Sequence, residues 1–289
     1  MGWGPDRSGP HPRITRRRVC DSCNAKSGRN SSLKGWALGC FMISIGLFAM
    51  LLEVSSSPLY GWIPNANLRR VLLGASAGIT AAALIYSPWG QRSGAHMNPA
   101  VTLAFLRLRR ITARRALGYV VAQALGGVAG VYLVWIAFGA LFGSPPVSFV
   151  TTVPRDGAVL SAFIAELSMS ALLMATLLAS ISSRRFAAYT GLMAGFLIFA
   201  FISVEAPLSG TSINPARSLA SAVAAHEWAS FWIYLVAPIL GMQLAAGYFI
   251  VRGSAGRSCC AKLCHSSTQR CIHCGFQPDI ARNSLPPAR

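Results

Sequence analysis

The chain has 289 residues, 53% of them hydrophobic and only 12% charged, with 26 Lys and Arg against 8 Asp and Glu. A water-facing globule carries about 25% charged residues, so this composition excludes an ordinary soluble fold and points to the bilayer. The net charge of +18 does not indicate nucleic acid as a partner, because the basic residues fall between apolar runs instead of along one soluble face.

From Met1 to Lys34 the sequence mixes Gly, Pro, Arg and Ser without an apolar run, which is the pattern of a disordered basic tail (1–35) and not of a signal peptide. Met1-Gly2 opens like a myristoylation signal, but Asp6 stands where Ser or Thr is required. Six apolar stretches follow: Trp36–Leu52, Val71–Ser87, Ala116–Phe142, Ala158–Ser182, Phe186–Val204 and Ala229–Val251. Each falls in or near the range of about 17–25 residues that a spanning helix needs. Two shorter apolar pieces, Met97–Leu106 and Ile213–Val223, cannot cross and read as re-entrant segments.

Six spans put both termini on one side. The tail up to Lys34 holds 8 basic residues, the segment Arg92 to Arg115 holds 6, Arg184 and Arg185 add 2, and the tail after Val251 holds 6. The opposite loops hold Arg69, Arg70 and Arg155. The positive-inside rule therefore predicts cytoplasmic termini in a multi-pass membrane protein, most simply one of the plasma membrane. The remaining basic residue, Arg217, sits within a short apolar segment, where a charge costs at least ~2.5–3.5 kcal/mol and marks a pathway.

The sequence also repeats itself. Ser93-Gly94-Ala95-His96-Met97-Asn98-Pro99-Ala100 follows the second span, and Ser209-Gly210-Thr211-Ser212-Ile213-Asn214-Pro215-Ala216 follows the fifth. Three spans plus one half-span thus form a unit used twice, and because three is odd the second copy inserts upside down. Asn is a preferred N-cap, and Pro tolerates the first helical position, so each box reads as the start of a half-helix. Two such starts meeting at mid-membrane would each present roughly +0.5 elementary charge, repelling protons and cations. The Asn98 and Asn214 amides retain donors for a passing neutral oxygen.

In these residues the chain resembles the major intrinsic protein family, the aquaporins and glycerol facilitators, over about 36–251. The resemblance implies an all-α membrane fold of six transmembrane helices and two re-entrant half-helices in an inverted 3+3 repeat, assembled as a homotetramer with one pore per subunit. It implies a passive channel for water, and also for glycerol or other small neutral solutes, that excludes ions. The alternatives are a solute facilitator with water secondary, or a non-conducting junction protein on the same fold. A coupled transporter lacks support, since Glu166 and Glu205 are the acids near membrane depth and neither sits at a box. Nothing reads as catalytic.

The resemblance also assigns further positions. Glu166 matches a carboxylate that braces a re-entrant loop, and His96 a loop histidine with either a packing or a gating role. Gln123, Gly126, Gly127 and Gly130 have the small-residue spacing of closely approaching helices. The first span should open with a second carboxylate, but Lys34, Gly35 and Trp36 stand there, leaving the bracing of the second re-entrant loop in doubt. Arg217 matches the family's filter arginine. Counting back from the second box gives Thr211 and Ile202, and counting back twenty from Asn98 gives Gly78, with Ala77 or Ile79 one position either way. A Gly78/Ile202/Thr211/Arg217 ring lacks the aromatic and the histidine of strict water channels. Ser218 and Ala222, by contrast, are the water-type choices.

Of eight cysteines, all but Cys40 lie in the two tails. In a reducing cytosol such spacing reads as metal binding before disulfides. Cys260, Cys264, Cys271 and Cys274 in the tail 252–289 could supply four thiolates to a structural zinc; the alternative is an unligated basic tail.

Overall fold

A computed structural model describes residues 32–183, 185–253 and 260–263. Cys264, Cys271 and Cys274 lie outside the described residues, as does almost all of the N-terminal tail. Eight helices carry the architecture: α1 (Ser32–Glu53), α2 (Ala66–Tyr86), α3 (Pro99–Arg107), α4 (Ala113–Phe138), α5 (Val159–Ser182), α6 (Thr190–Ser209), α7 (Pro215–Ala225) and α8 (Phe231–Val251). Six of them, all but α3 and α7, contain segments long and apolar enough to cross a membrane. The chain is therefore an all-α, multi-pass integral membrane protein.

The helix ends differ from the hydropathy reading where capping chemistry intervenes. The second span starts at Ala66 and not Val71, because Asn65 accepts from the Leu68 amide at 3.1 Å and caps the helix. Arg69 and Arg70 are thereby drawn into α2. Their charges are accommodated at the helix end: Arg69 pairs with Glu53 at 3.2 Å and lies over the Tyr60 ring, and Arg70 Nε donates to the Ser203 carbonyl.

α1 leads from one face of the bundle, the near face, to the far face, and the other spans alternate. The packing repeats across the two halves. α1 pairs with α4 as α5 pairs with α8, and α2 pairs with α6 across the pseudo-symmetry. Half-helix α3 packs chiefly on α8 and half-helix α7 chiefly on α4, each on the last span of the other repeat. Missing side chains set the closest approaches. A Cβ on Gly130 would strike the Gly39 backbone, and one on Gly241 would strike the Leu167 carbonyl. The small-residue spacing in α4 is thus used on two sides, since Gly127 faces Ala216 and Ala220 of α7. Outward positions are apolar and exposed, among them Ile79, Ile136, Leu160 and Val204, as a lipid-facing surface requires.

Candidate functional site: a pore between two half-helices

The two boxes are built alike. Gly94 and Gly210 take φ of 90° and 80°, and the next residues, Ala95 and Thr211, stay left-handed at 58° and 49°. A left-handed pair turns the chain sharply back, which is how a re-entrant loop reverses at mid-depth. Asn98 and Asn214 then cap their half-helices from extended backbone. Asn98 Oδ1 accepts from the Ala100 amide at 2.8 Å, and Asn214 Oδ1 from Ala216 at 3.1 Å. Each Asn spends a donor on the other box: Nδ2 of Asn98 reaches the Ile213 carbonyl at 2.6 Å, and Nδ2 of Asn214 reaches the Met97 carbonyl at 2.8 Å. Two helix N-termini are thereby held nose to nose, with their orphan amides and positive ends converging.

The loops are braced by different chemistry. Buried Glu166 accepts from the Ser212 and Ile213 amides, both at 2.6 Å, and from Ser209 Oγ at 2.8 Å. It therefore braces the second re-entrant loop, the one whose bracing the residues at the start of the first span left in doubt. Among the described residues, no carboxylate braces the first loop. There Gln123 Nε2 donates to the His96 carbonyl at 2.6 Å and to Thr102 Oγ1 at 3.2 Å. A neutral amide from α4 thus does for the first loop what a carboxylate does for the second. His96 is buried, its ring stacked on Phe105 and edge-on to Tyr119, with Nε2 2.7 Å from the Ala261 carbonyl.

One cavity connects these parts. Its lining includes Asn98, Asn214 and Arg217 from the boxes, Ile202 from α6, Thr211 from the second loop, and Leu73 and Ala81 from α2. It reaches Glu53 and Thr151 on the far-face side and Leu263 on the near-face side. Of the four filter positions counted from the sequence, Ile202, Thr211 and Arg217 line it. Gly78 does not: a Cβ there would run into the Gly195 carbonyl of α6. Gly78 is a helix-crossing glycine, Ala77 is buried outside the lining, and Ile79 is 70% exposed on the outer surface. Leu73 takes the place on the cavity wall, beside Gly74, whose Cβ position lies 3.4 Å from Ile202 Cβ.

Sequence reading also passed over two polar partners. Thr211 Oγ1 donates to Glu205 Oε2 at 2.7 Å, so an acid that does not sit at a box holds a cavity-lining hydroxyl. Ser218, read only as a subgroup marker, joins Ser212 and Thr152 in a buried chain of hydroxyls at 2.5 and 2.6 Å. Arg217 is 8% exposed, with Nη1 unpartnered among the described residues, leaving guanidinium donors beside the lumen.

Residues 30–249 match the Major intrinsic protein family. The chain belongs to the major intrinsic protein family. It is 36% identical over 180 residues to Nodulin-26 of Glycine max, covering 61% of this chain and 63% of that protein. Against Aquaporin NIP6-1 of Arabidopsis thaliana it is 35% identical, covering 61% and 56%. Against Aquaporin-4 of Mus musculus the figures are 32%, 70% and 63%. The matched stretches thus span about three fifths of those relatives. The fold is that of the aquaglyceroporin from Plasmodium falciparum, with a TM-score of 0.60 at 18% identity over 78% of this chain and 98% of that one.

Proposed function

We propose that the chain is a passive channel for water and small neutral solutes such as glycerol, closed to ions and protons. The observation that carries this reading is the pair of half-helix N-termini locked together by Asn98 and Asn214 beside a lumen that Arg217 also lines. A cation entering from either face meets a positive helix end at mid-depth and a guanidinium near the far face. A neutral hydroxyl meets donors from the two Asn amides and Arg217 in place of its lost water. The same lining also includes the apolar Leu73 and Ile202, which suit the carbon side of a polyol.

The positive-inside rule supports a cytosolic location for both termini, and the plasma membrane is the proposed site. A homotetramer with one pore per subunit, as the family resemblance implies, is the assembly proposed for this chain. Stopped-flow light scattering on proteoliposomes, with water, glycerol and urea gradients in turn, tests the reading. Fast water shrinkage with slow proton leak is expected. No gain over empty vesicles would favour a non-conducting scaffold.

A further inference from the structure

Ten residues beyond the last span, the chain returns to the pore. Ala261 and Leu263 are buried at 0% and 4% exposure and pack into the same apolar cluster as Ala95, Leu173 and Leu177. Two hydrogen bonds fix the register of this segment on the first re-entrant loop: His96 Nε2 with the Ala261 carbonyl at 2.7 Å, and the Leu263 amide to the Gly94 carbonyl at 3.3 Å. The Leu263 side chain then lines the cavity together with Ala95 and Met97. An apolar side chain is thus presented to the lumen at the near-face mouth by a segment that belongs to no span.

We propose that Ala261–Leu263 is an autoinhibitory plug: the C-terminal segment seats in the near-face mouth of the pore and limits permeation from that side. The proposal rests on the channel reading above. The seat itself carries an opposing element. Lys262, between the two apolar anchors, is 2% exposed, and among the described residues its Nζ has no hydrogen-bond partner. An ammonium buried without a hydrogen-bond partner is unfavourable, so apolar burial and the hydrogen bonds to the first loop hold the segment while Lys262 pushes it out. A seat balanced in this way releases readily.

Neighbouring substitutions should therefore move the flux in opposite directions. Ala261→Asp places a carboxylate where no side-chain space exists and should unseat the segment. Lys262→Met keeps the volume, removes the buried charge and should tighten it. In proteoliposomes matched for inserted protein, water permeability per channel should rise roughly threefold or more for Ala261→Asp and fall below the parent for Lys262→Met, as expected when a bistable contact is biased each way. In parallel, trypsin should cut the detergent-solubilised full chain at exposed Arg252 well before Lys262, and Ala261→Asp should abolish that delay. Equal, measurable flux in all three proteins, or cleavage at Lys262 as fast as at Arg252, overturns the plug and leaves the channel standing. Zero flux in all three overturns the channel reading, and the plug with it. If Ala261→Asp does not insert, the Lys262→Met flux and the trypsin order in the parent decide.

Discussion

Asn98 and Asn214 each donate to the carbonyl of the residue that precedes the other, Ile213 and Met97, at 2.6 and 2.8 Å. The same two side chains cap their own half-helices, so each amide group works with its oxygen inward and its nitrogen across the interface. Asn98→Asp separates the two roles, since a carboxylate caps as well but cannot donate. The Ile213 carbonyl would then face an acceptor, a loss of about 1–3 kcal/mol. A lower unfolding temperature in detergent is expected, with proton leak appearing in vesicles as a negative group enters the positive midplane. Unchanged unfolding would show that the cross-bond contributes nothing.

Glu166→Gln tests the brace of the second loop. A carboxylate accepts from three donors here, whereas an amide offers one acceptor oxygen and turns N–H groups toward backbone N–H. Hydrogen bonds to charged groups are worth about 1.5–3 kcal/mol each, so loss of even one should be visible as a drop in unfolding temperature and in water flux. Gln123→Ala, removing the weaker neutral brace of the first loop, should cost less by the same two measurements.

The α2 wall gives a pair of contrasting variants. Leu73→Ala enlarges the lumen beside Ile202 and should raise the glycerol-to-water flux ratio. Gly78→Ala adds a methyl at the crossing with Gly195 and should reduce the yield of folded protein while leaving the ratio alone in what does fold. The reverse pattern would restore Gly78 to the filter.

Arg217→Ala removes the guanidinium from the lumen wall. Higher glycerol flux and a measurable cation conductance are expected, the second because one of the two positive barriers is lost. Cation exclusion equal to that of the parent would place the whole barrier at the half-helix ends.

The eight-helix plan was legible because its signals are local: apolar length for the spans, and Asn-Pro for the half-helix starts. Ile202 and Thr211 were reachable by counting because little irregular chain separates them from Asn214. Gly78 was not, since the count from Asn98 crosses the helical turn Pro88–Ser93 and the loop after it, and the α2 residues that do line the cavity, Leu73 and Ala81, lie on another face of that helix. Which loop Glu166 braces was invisible for another reason: an inverted repeat offers two equivalent partners, and composition does not choose between them. The role of Glu205 was not legible because its contact runs from a span to a loop six residues on, a pairing that no periodicity announces.

The exchange of half-helices between the repeats sets an order of assembly. α7 meets a support, α4, that has already been synthesised and inserted when it arrives. α3 must wait, because α8 lies more than a hundred residues later in the chain. Until that last helix enters, the first box lacks the main surface on which its half-helix packs. The first half-helix to leave the ribosome is thus among the last to settle. A nascent chain stalled before α8 should hold five correctly oriented spans and no pore, with Asn98 still open to solvent from the near face.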